Sequence, residues 1–344
     1  MRYRLLGRTG LRVSELCLGA MTFGEDWGWG ASAEECRKMF DRFAEAGGNF
    51  VDTANYYTNG TSERIVGELV RSERERFVVA TKYTLSSRPQ DPNGGGNQRK
   101  SLVQSLDGSL RRLGLEYIDL YWVHVWDRFT PIEETLRALD DVVRAGKVLH
   151  VGISDAPSWI VSRGNAIAEL RGQTPFAAVQ VPYSLLERSV ERELLPMAEA
   201  HGLAVTTWGA LGGGVLTGKF KGAERPSGTR LGDNEWGKAA LNPRSLAIAA
   251  EVERVAGETG RSASQVALAW VRAQPRGNLI PILGVRRLAQ LEDNLGALGL
   301  SLSSEQLGRL DAASRIERGY PLDLLARVER QVYGETVASL DVVR

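Results

Sequence analysis

Short apolar runs alternate with amphipathic helical patterns along most of the 344-residue chain. The runs are rich in Val, Ile and Leu without polar alternation, which is typical of parallel strands buried on both faces. After the first run, Ser32 is a candidate N-cap, Glu35 stands at the third helical position and Gly47 ends the helix. The predicted strands cover residues 14–21, 49–52, 76–82, 117–125, 147–154, 176–181, 203–211 and 278–283.

Eight strand–helix units over roughly 300 residues favour an α/β fold of the (β/α)8 TIM barrel type over a doubly wound sheet. The residues before the first unit, "YRLLGRTGLRVS", predict a β-hairpin that turns at "RTG" and plugs the bottom of the barrel. After the last unit we predict an extra C-terminal helix over 301–315 and a tail over 319–344. Because no stretch resembles an interdomain linker, residues 1–344 are expected to form one domain.

Composition and charge narrow the class of function. The chain has 43 basic and 42 acidic residues and a net charge of +1, which gives no electrostatic reason to expect nucleic acid or an anionic membrane as a partner. Cys17 and Cys36 form no CxxC pair, and no signal-peptide stretch or long apolar run is apparent, so we expect a cytoplasmic protein. Three scattered histidines and two distant cysteines predict no metal site.

Polar residues at the predicted strand ends are the candidates for chemistry, because barrel active sites lie at the C-terminal ends of the strands. Asp52, Lys82 and His124 follow three consecutive strands, so their side chains can converge. A carboxylate at a buried strand end needs a partner, and Lys82 can supply one. The remaining strand ends carry Ser154, Asp155, Gln180, Trp208, Gly284 and Arg286.

A tyrosine near this pair suggests proton transfer. Tyr57, five residues after Asp52, can lie beside the Lys82 ammonium, which would lower the pKa of the phenol below its usual value of about 10. Such a phenol can protonate a carbonyl oxygen that a neutral His124 N–H orients, which fits carbonyl reduction by hydride. Chemistry alone does not choose between Tyr57 and the adjacent Tyr56, and a purely structural ion pair is the alternative.

Several segments resemble, in order, those of the aldo-keto reductase superfamily: "YRLLGRTGLRVSELCLGAMTFG", "VDTANYY", "VVATKY", "YIDLYWVHVWD", "VGISDAP" and "PILGVRRLAQLEDN". The resemblance implies a (β/α)8 fold and the reduction of aldehydes and ketones by NADPH, less often by NADH. Matching each motif implies a catalytic tetrad of Asp52, Tyr57, Lys82 and His124. The segments "NGGGNQRKSLVQSL" and "SDAPSW" further resemble the aryl-alcohol-dehydrogenase-like branch.

The resemblance also implies a set of cofactor contacts. Ser154 and Gln180 match positions that bind the nicotinamide carboxamide, and Trp208 matches the aromatic residue that stacks on the ring. Many members have Asn where this chain has Asp155, which can accept a hydrogen bond but cannot donate one. Arg286 would carry recognition of a 2′-phosphate, so NADPH is the expected cofactor and NADH a weaker one. The full predicted set is Gly19, Met21, Thr22, Asp52, Ser154, Asp155, Gln180, Trp208, Gly209, Ala210, Leu211, Gly213, Leu216, Gly218, Lys219, Gly284, Arg286, Gln290 and Asn294.

The substrate side is less defined. Trp27, Trp29 and Trp126 can line a pocket for a bulky or cyclic carbonyl next to Tyr57 and His124, although simple packing is the alternative for each tryptophan. The expected partner is a small-molecule carbonyl compound, and the sequence leaves open whether the protein is a monomer or a homo-oligomer. The alternative function is an NADPH-binding redox-sensing or regulatory subunit with little turnover.

Two glycine patterns invite a different interpretation. "GWGASA" matches a dinucleotide-binding fingerprint, but no strand precedes it. "GGVLTGKF" resembles a P-loop, but Phe220 stands where Ser or Thr must bind magnesium. Neither pattern therefore predicts a nucleotide site of its own.

Overall fold

A closed barrel of eight parallel strands forms the centre of the computed structural model, which describes residues 1–86, 88–220 and 241–339. Each barrel strand pairs in parallel with the next along the chain, and the last pairs with the first, which confirms the predicted (β/α)8 TIM barrel. An antiparallel pair, β1 (Tyr3–Leu5) and β2 (Arg12–Ser14), precedes it. The barrel strands are β3 (Cys17–Gly19), β4 (Phe50–Asp52), β5 (Val78–Tyr83), β6 (Ile118–Val123), β7 (Val148–Ser154), β8 (Phe176–Pro182), β9 (Ala204–Trp208) and β10 (Asn278–Gly284).

Helices that pack against their neighbours surround the barrel, as the alternating pattern predicts. The described helices are α1 (Ala33–Glu45), α2 (Thr61–Val70), α3 (Arg99–Leu113), α4 (Ile132–Arg144), α5 (Ser158–Arg171), α6 (Leu194–His201), α7 (Pro243–Thr259), α8 (Ala263–Ala273), α9 (Leu288–Leu295), α10 (Ser304–Ser314) and α11 (Leu322–Tyr333). None of these helices is long and apolar enough to span a membrane.

Beyond the barrel, the residues that the structure describes contain one helix that the sequence pattern did not predict. The predicted extra helix is α10, whereas α11 lies in the stretch predicted only as a tail. Its apolar residues recur at helical spacing, but none of its side chains is buried. The end of the predicted tail, residues 340–344, lies outside the described residues.

The N-terminal hairpin is present and lies against one end of the barrel. Leu6 and Val13 are fully buried and belong to one apolar cluster with Phe50, Val78 and Leu120. Phe50 and Val78 are the first residues of β4 and β5. The hairpin therefore covers the N-terminal end of the barrel and leaves the C-terminal ends of the strands for the site.

The start of α1 has only half of the predicted cap. Ser32 Oγ accepts a hydrogen bond from the Glu35 backbone N–H at 3.3 Å, as expected of an N-cap. The Glu35 carboxylate does not return to Ser32, because it accepts a hydrogen bond from the Leu288 N–H at 2.7 Å. Glu35 thus satisfies the first N–H of α9 and joins the first helix to the last βα unit.

Candidate active site

A buried ion pair occupies the C-terminal ends of β4 and β5. Lys82 is fully buried. Its Nζ donates one hydrogen bond to Asp52 Oδ2 and another, of 2.7 Å, to the Thr53 carbonyl oxygen. Gln180 Nε2 donates to the other oxygen, Asp52 Oδ1, at 3.3 Å. Burial alone would lower the pKa of Lys82, but the Asp52 carboxylate and the Tyr57 phenol raise it above its usual value. The ammonium is therefore a permanent charge of this site.

The loop after β4 holds Tyr57 over this ammonium. Lys82 Nζ lies 4.7 Å from the centroid of the Tyr57 ring, and the Asn55 N–H donates to the Lys82 carbonyl at 3.1 Å. Thr58 and Asn59 follow with φ of 43° and 54°, a conformation that a β-branched residue adopts only when neighbouring contacts fix it. Thr58 Oγ1 provides one such contact, a 2.7 Å hydrogen bond to the Phe23 carbonyl oxygen. The "TNG" sequence after Tyr57 thus makes the turn that places the phenol.

The protonation state of Tyr57 differs from the expectation drawn from the sequence. Burial raises the pKa of Tyr57, the Lys82 ammonium lowers it, and the carboxylates of Asp52 and Asp155 raise it again, so its pKa lies above the usual value. The expected lowering is therefore wrong for this arrangement, because burial outweighs the single cation. Tyr57 therefore keeps its proton at neutral pH.

His124 follows β6 and faces the same phenol. The Tyr57 and His124 rings meet edge to face with centroids 5.6 Å apart. Burial, and then the nearby Lys82 charge, lower the pKa of His124 to about 3, so the imidazole is neutral at physiological pH. His124 Nδ1 is buried and has no hydrogen-bond partner among the described residues. A neutral imidazole beside a phenol can orient an oxygen atom between them.

Aromatic side chains form one wall beside Tyr57. The Trp27 ring centroid lies 6.5 Å from that of Tyr57, 6.0 Å from that of Tyr56 and 5.6 Å from that of Trp29. The Tyr56 side chain is 41% exposed and contacts Trp27, so Tyr57 is the tyrosine next to Lys82. Trp126, the third tryptophan predicted for the pocket, packs against the main hydrophobic core.

A cleft of about 480 Å³ opens where β9 and β10 end. Several glycines line it, and a Cβ built at Gly209 or Gly284 would meet no other atom within 4 Å. Backbone without side chains can approach a ligand closely, and Lys219 and Arg286 bring positive charge suited to phosphates, so this cleft fits a dinucleotide cofactor. The predicted cofactor residues that line the cleft are Thr22, Gly209, Ala210, Leu211, Gly213, Lys219, Gly284, Arg286, Gln290 and Asn294.

Nine residues of the predicted cofactor set do not line this cleft, among them Gly19, Met21, Leu216 and Gly218. The Leu216 side chain is fully buried in the hydrophobic core. A Cβ at Gly19 would lie 2.6 Å from Ile282 Cγ2, so this glycine lets β3 approach β10. Packing within the protein therefore accounts for Leu216 and Gly19 without a ligand.

Between the cleft and the ion pair lie the remaining predicted positions. Ser154 and Gln180 are almost fully buried at the ends of β7 and β8. Trp208, 43% exposed, ends β9, and its Nε1 donates to Asp155 Oδ1 at 3.3 Å. Gln180 donates a hydrogen bond to Asp52, so the ends of β7, β8 and β9 connect the cleft with the buried ion pair.

Sequence reasoning missed several residues of the cleft: Thr217, Ser262, Ser264, Arg287 and Asp293. Ser262 is the N-cap of α8 and accepts from the Gln265 N–H at 3.1 Å. A helix N-terminus attracts anions, so a serine directly before an apolar helical pattern is a signal for the site. Asp293 gave no such signal, because only the fold brings its carboxylate to Ser262 Oγ, 3.0 Å away.

Comparison with known proteins identifies the family to which this arrangement belongs. The aldo/keto reductase family model matches residues 15–315. The chain therefore belongs to the aldo/keto reductase family, as its motifs indicate. Members of this family use nicotinamide cofactors, and the chain is accordingly an NAD(P)H-dependent oxidoreductase.

Individual relatives share the whole length of the barrel. The norsolorinic acid reductase of Aspergillus flavus is 38% identical over 99% of this chain and 88% of its own length. An aryl-alcohol dehydrogenase of Pestalotiopsis microspora is 38% identical over 94% of this chain and 83% of its own. The NADP(+) aryl-alcohol dehydrogenase of Phanerodontia chrysosporium is 37% identical over 91% and 85%. Relatives with these names support carbonyl reduction as the general reaction.

Proposed function

We propose that the protein reduces aldehydes or ketones to alcohols with NADPH, with Tyr57 as the general acid. The observation that carries this proposal is the position of the protonated Tyr57 phenol between the Lys82 ammonium and the neutral His124 imidazole. A carbonyl oxygen placed at this point meets one proton donor and one orienting group, which are the requirements of acid-assisted reduction.

The chain's own residues would hold the cofactor from one end of the cleft to the other. Ser154, Gln180 and Trp208 would bind the nicotinamide, and the glycine-lined loop from Gly209 would hold the pyrophosphate. Arg286 would bind the 2′-phosphate, because a planar guanidinium matches a phosphate group. The NADP(+) in the name of one relative supports the choice of NADPH. When bound, the reduced nicotinamide supplies the hydride.

The protein moves one proton for each hydride transferred. The carbonyl carbon receives the hydride, negative charge develops on the oxygen, and Tyr57 gives that oxygen its phenolic proton. The phenolate left on Tyr57 is stabilised by Lys82, whose charge Asp52 holds in place, and then takes a proton from solvent. His124 orients the carbonyl oxygen, since its pKa of about 3 keeps it neutral throughout.

The aromatic wall indicates the shape of the substrate. Trp27 lies beside both Tyr57 and Trp29, so a flat ring attached to the carbonyl would stack on apolar surface. Aromatic aldehydes and cyclic or aryl ketones are therefore the proposed substrate class, in line with the names of the relatives.

The test compares Tyr57→Phe with the wild type and with Tyr56→Phe as the matched control. Consumption of NADPH is followed by its absorbance with a panel of aromatic aldehydes and cyclic ketones. We expect Tyr57→Phe to lose about 10²–10⁴-fold in kcat, the usual contribution of a general acid, while binding NADPH normally. Tyr56→Phe should keep most of its activity, because Tyr56 is exposed and its ring contacts Trp27, whereas Lys82 lies over the ring of Tyr57.

Each outcome separates the alternatives. Undiminished turnover in Tyr57→Phe would show that another group is the acid. Tight NADPH binding by the wild type without turnover of any panel member would favour the redox-sensing or regulatory function instead.

A further inference from the structure

The charges around the proposed nicotinamide site do not cancel. Asp52 and Lys82 neutralise each other in their buried pair. His124 is neutral, because its pKa is lowered to about 3 by burial and by Lys82. Asp155 forms no salt bridge within the described residues. One carboxylate is therefore left at these strand ends without a cation of its own.

Asp155 is held in place by its backbone and by its side chain. Its φ of 46° is in the left-handed region, which Asp and Asn tolerate better than most residues. Its N–H donates to the Gln180 carbonyl at 3.3 Å, and its carbonyl accepts from the Trp126 N–H at 3.4 Å. The side-chain Oδ1 accepts from Trp208 Nε1 at 3.3 Å. The carboxylate is thus fixed between the two strand ends proposed to bind the nicotinamide.

The surroundings allow Asp155 to carry its charge. Burial raises the pKa of the Asp155 carboxyl above its usual value, and the hydrogen bonds from Trp208 and Ser154 and the charge of Lys82 offset only part of that rise. Asp155 is nevertheless exposed to solvent. Water access, the two hydrogen-bond donors and the nearby cation all stabilise the charged form of this carboxyl.

We propose that the Asp155 carboxylate makes this protein bind the oxidised cofactor more tightly, relative to the reduced one, than a neutral residue would. The inference rests on the proposed function. Loss of a hydride, one hydrogen nucleus with two electrons, leaves the nicotinamide ring with one additional positive charge. A fixed carboxylate beside the ring attracts that charge and has no such attraction for the neutral reduced ring.

Two consequences follow for the reaction. Hydride transfer toward the carbonyl becomes more favourable on the protein, because the product form of the cofactor is stabilised. Release of the oxidised cofactor becomes slower for the same reason. Asp155 thus sets the difference in affinity between the oxidised and the reduced cofactor. Trp208, whose indole donates a hydrogen bond to Asp155, contacts the nicotinamide but contributes no charge.

The test measures Kd for NADP⁺ and for NADPH by quenching of tryptophan fluorescence, in the wild type and in Asp155→Asn. Asparagine keeps the shape and the oxygen that accepts from Trp208, and removes only the charge. We expect the ratio Kd(NADP⁺)/Kd(NADPH) to rise about tenfold, which corresponds to about 30 mV in the two-electron potential of the bound cofactor.

Asp293→Asn is the matched control. It removes the same charge from the cleft at the end proposed for the adenosine phosphate, where both cofactor forms are chemically identical. Any change in its two Kd values should affect both alike, so that their ratio stays that of the wild type.

The outcomes distinguish this inference from the proposed function. An unchanged ratio in Asp155→Asn, including equal weakening of both forms, would overturn the inference and leave Asp155 as a support for Trp208. Failure of the wild type to bind either cofactor form would instead overturn the proposed function.

Discussion

The buried end of the site and the cofactor cleft are built on opposite principles. At the buried end, Lys82 is 0% exposed and its charge is satisfied within the protein by Asp52 and Thr53. In the cleft, Gly209 and Gly284 leave space, and Arg286 is only half-buried with its guanidinium available to a ligand. One region is complete when the chain folds, and the other is completed by binding.

This difference decides whether a region contributes to the stability of the fold or to the affinity for a ligand. A buried charge must be paired at the moment of folding, so the arrangement of Asp52 and Lys82 is linked to the stability of the barrel. Charged groups that remain in contact with water cost little until a ligand displaces that water. Substitutions at the buried end should therefore change stability and rate, whereas substitutions in the cleft should change affinity.

The largest effect is expected when the buried pair is broken. Lys82→Met leaves the Asp52 carboxylate buried without its cation, which should lower the free energy of unfolding by about 3–5 kcal/mol. The measurement is urea unfolding followed by circular dichroism. The double variant Asp52→Asn/Lys82→Met removes both charges and should recover part of the loss.

Lys38→Met provides the control at the surface. Lys38 pairs with Glu34 in solvent on α1, and exposed pairs contribute little to stability, so this variant should unfold like the wild type. A similar small change for Lys82→Met would mean that the catalytic end does not depend on its ion pair, and the contrast between the two regions would fail.

The buried end is also the region that the sequence predicts best. Asp52, Lys82 and His124 stand directly at the ends of consecutive apolar runs, where charged or polar residues are rare. Strand order then brings them together without further information. The choice of Tyr57 over Tyr56 needed the family motif, since the turn at Thr58 and Asn59 that separates the two rings depends on contacts with a distant loop.

Other features of the structure could not be predicted from the sequence, and each has a physical reason. The apolar run over 14–21 spans two elements, because Ser14 ends the hairpin strand and only Cys17–Gly19 joins the barrel. The pKa of Tyr57 could not be predicted, because burial depends on how the loop folds over it. Cleft residues such as Asp293 come from helices, and no local pattern indicates which helix face meets a ligand.

A smaller effect is expected in the cleft, at Arg286. Arg286→Ala should remove charge-assisted hydrogen bonds to the 2′-phosphate of NADPH, a loss of about 2 kcal/mol that raises Kd about thirtyfold. Kd for NADH, which lacks this phosphate, should change little. Isothermal titration calorimetry with both cofactors measures the two values, and the free energy of unfolding should stay that of the wild type.

The neighbouring Arg287 is the matched control for Arg286. Arg287 also lines the cleft but was not part of the predicted set. If Arg287→Ala selectively weakens NADPH while Arg286→Ala does not, recognition of the 2′-phosphate belongs to Arg287. Equal weakening of NADPH and NADH by Arg286→Ala would contradict the 2′-phosphate role.

The smallest expected effect is the pH dependence of stability that the buried His124 causes. The folded protein holds the pKa of His124 at about 3, below the usual value of 6.5. As the pH falls below 6.5, the unfolded chain binds a proton at this residue and the folded protein does not, so stability decreases. Relative to His124→Asn, the wild type should lose about 1 kcal/mol of unfolding free energy between about pH 6.5 and pH 5.5. Urea unfolding at the two pH values measures this difference. Parallel losses in both proteins would mean that His124 titrates normally and that the catalytic end is open to water, as the cleft is.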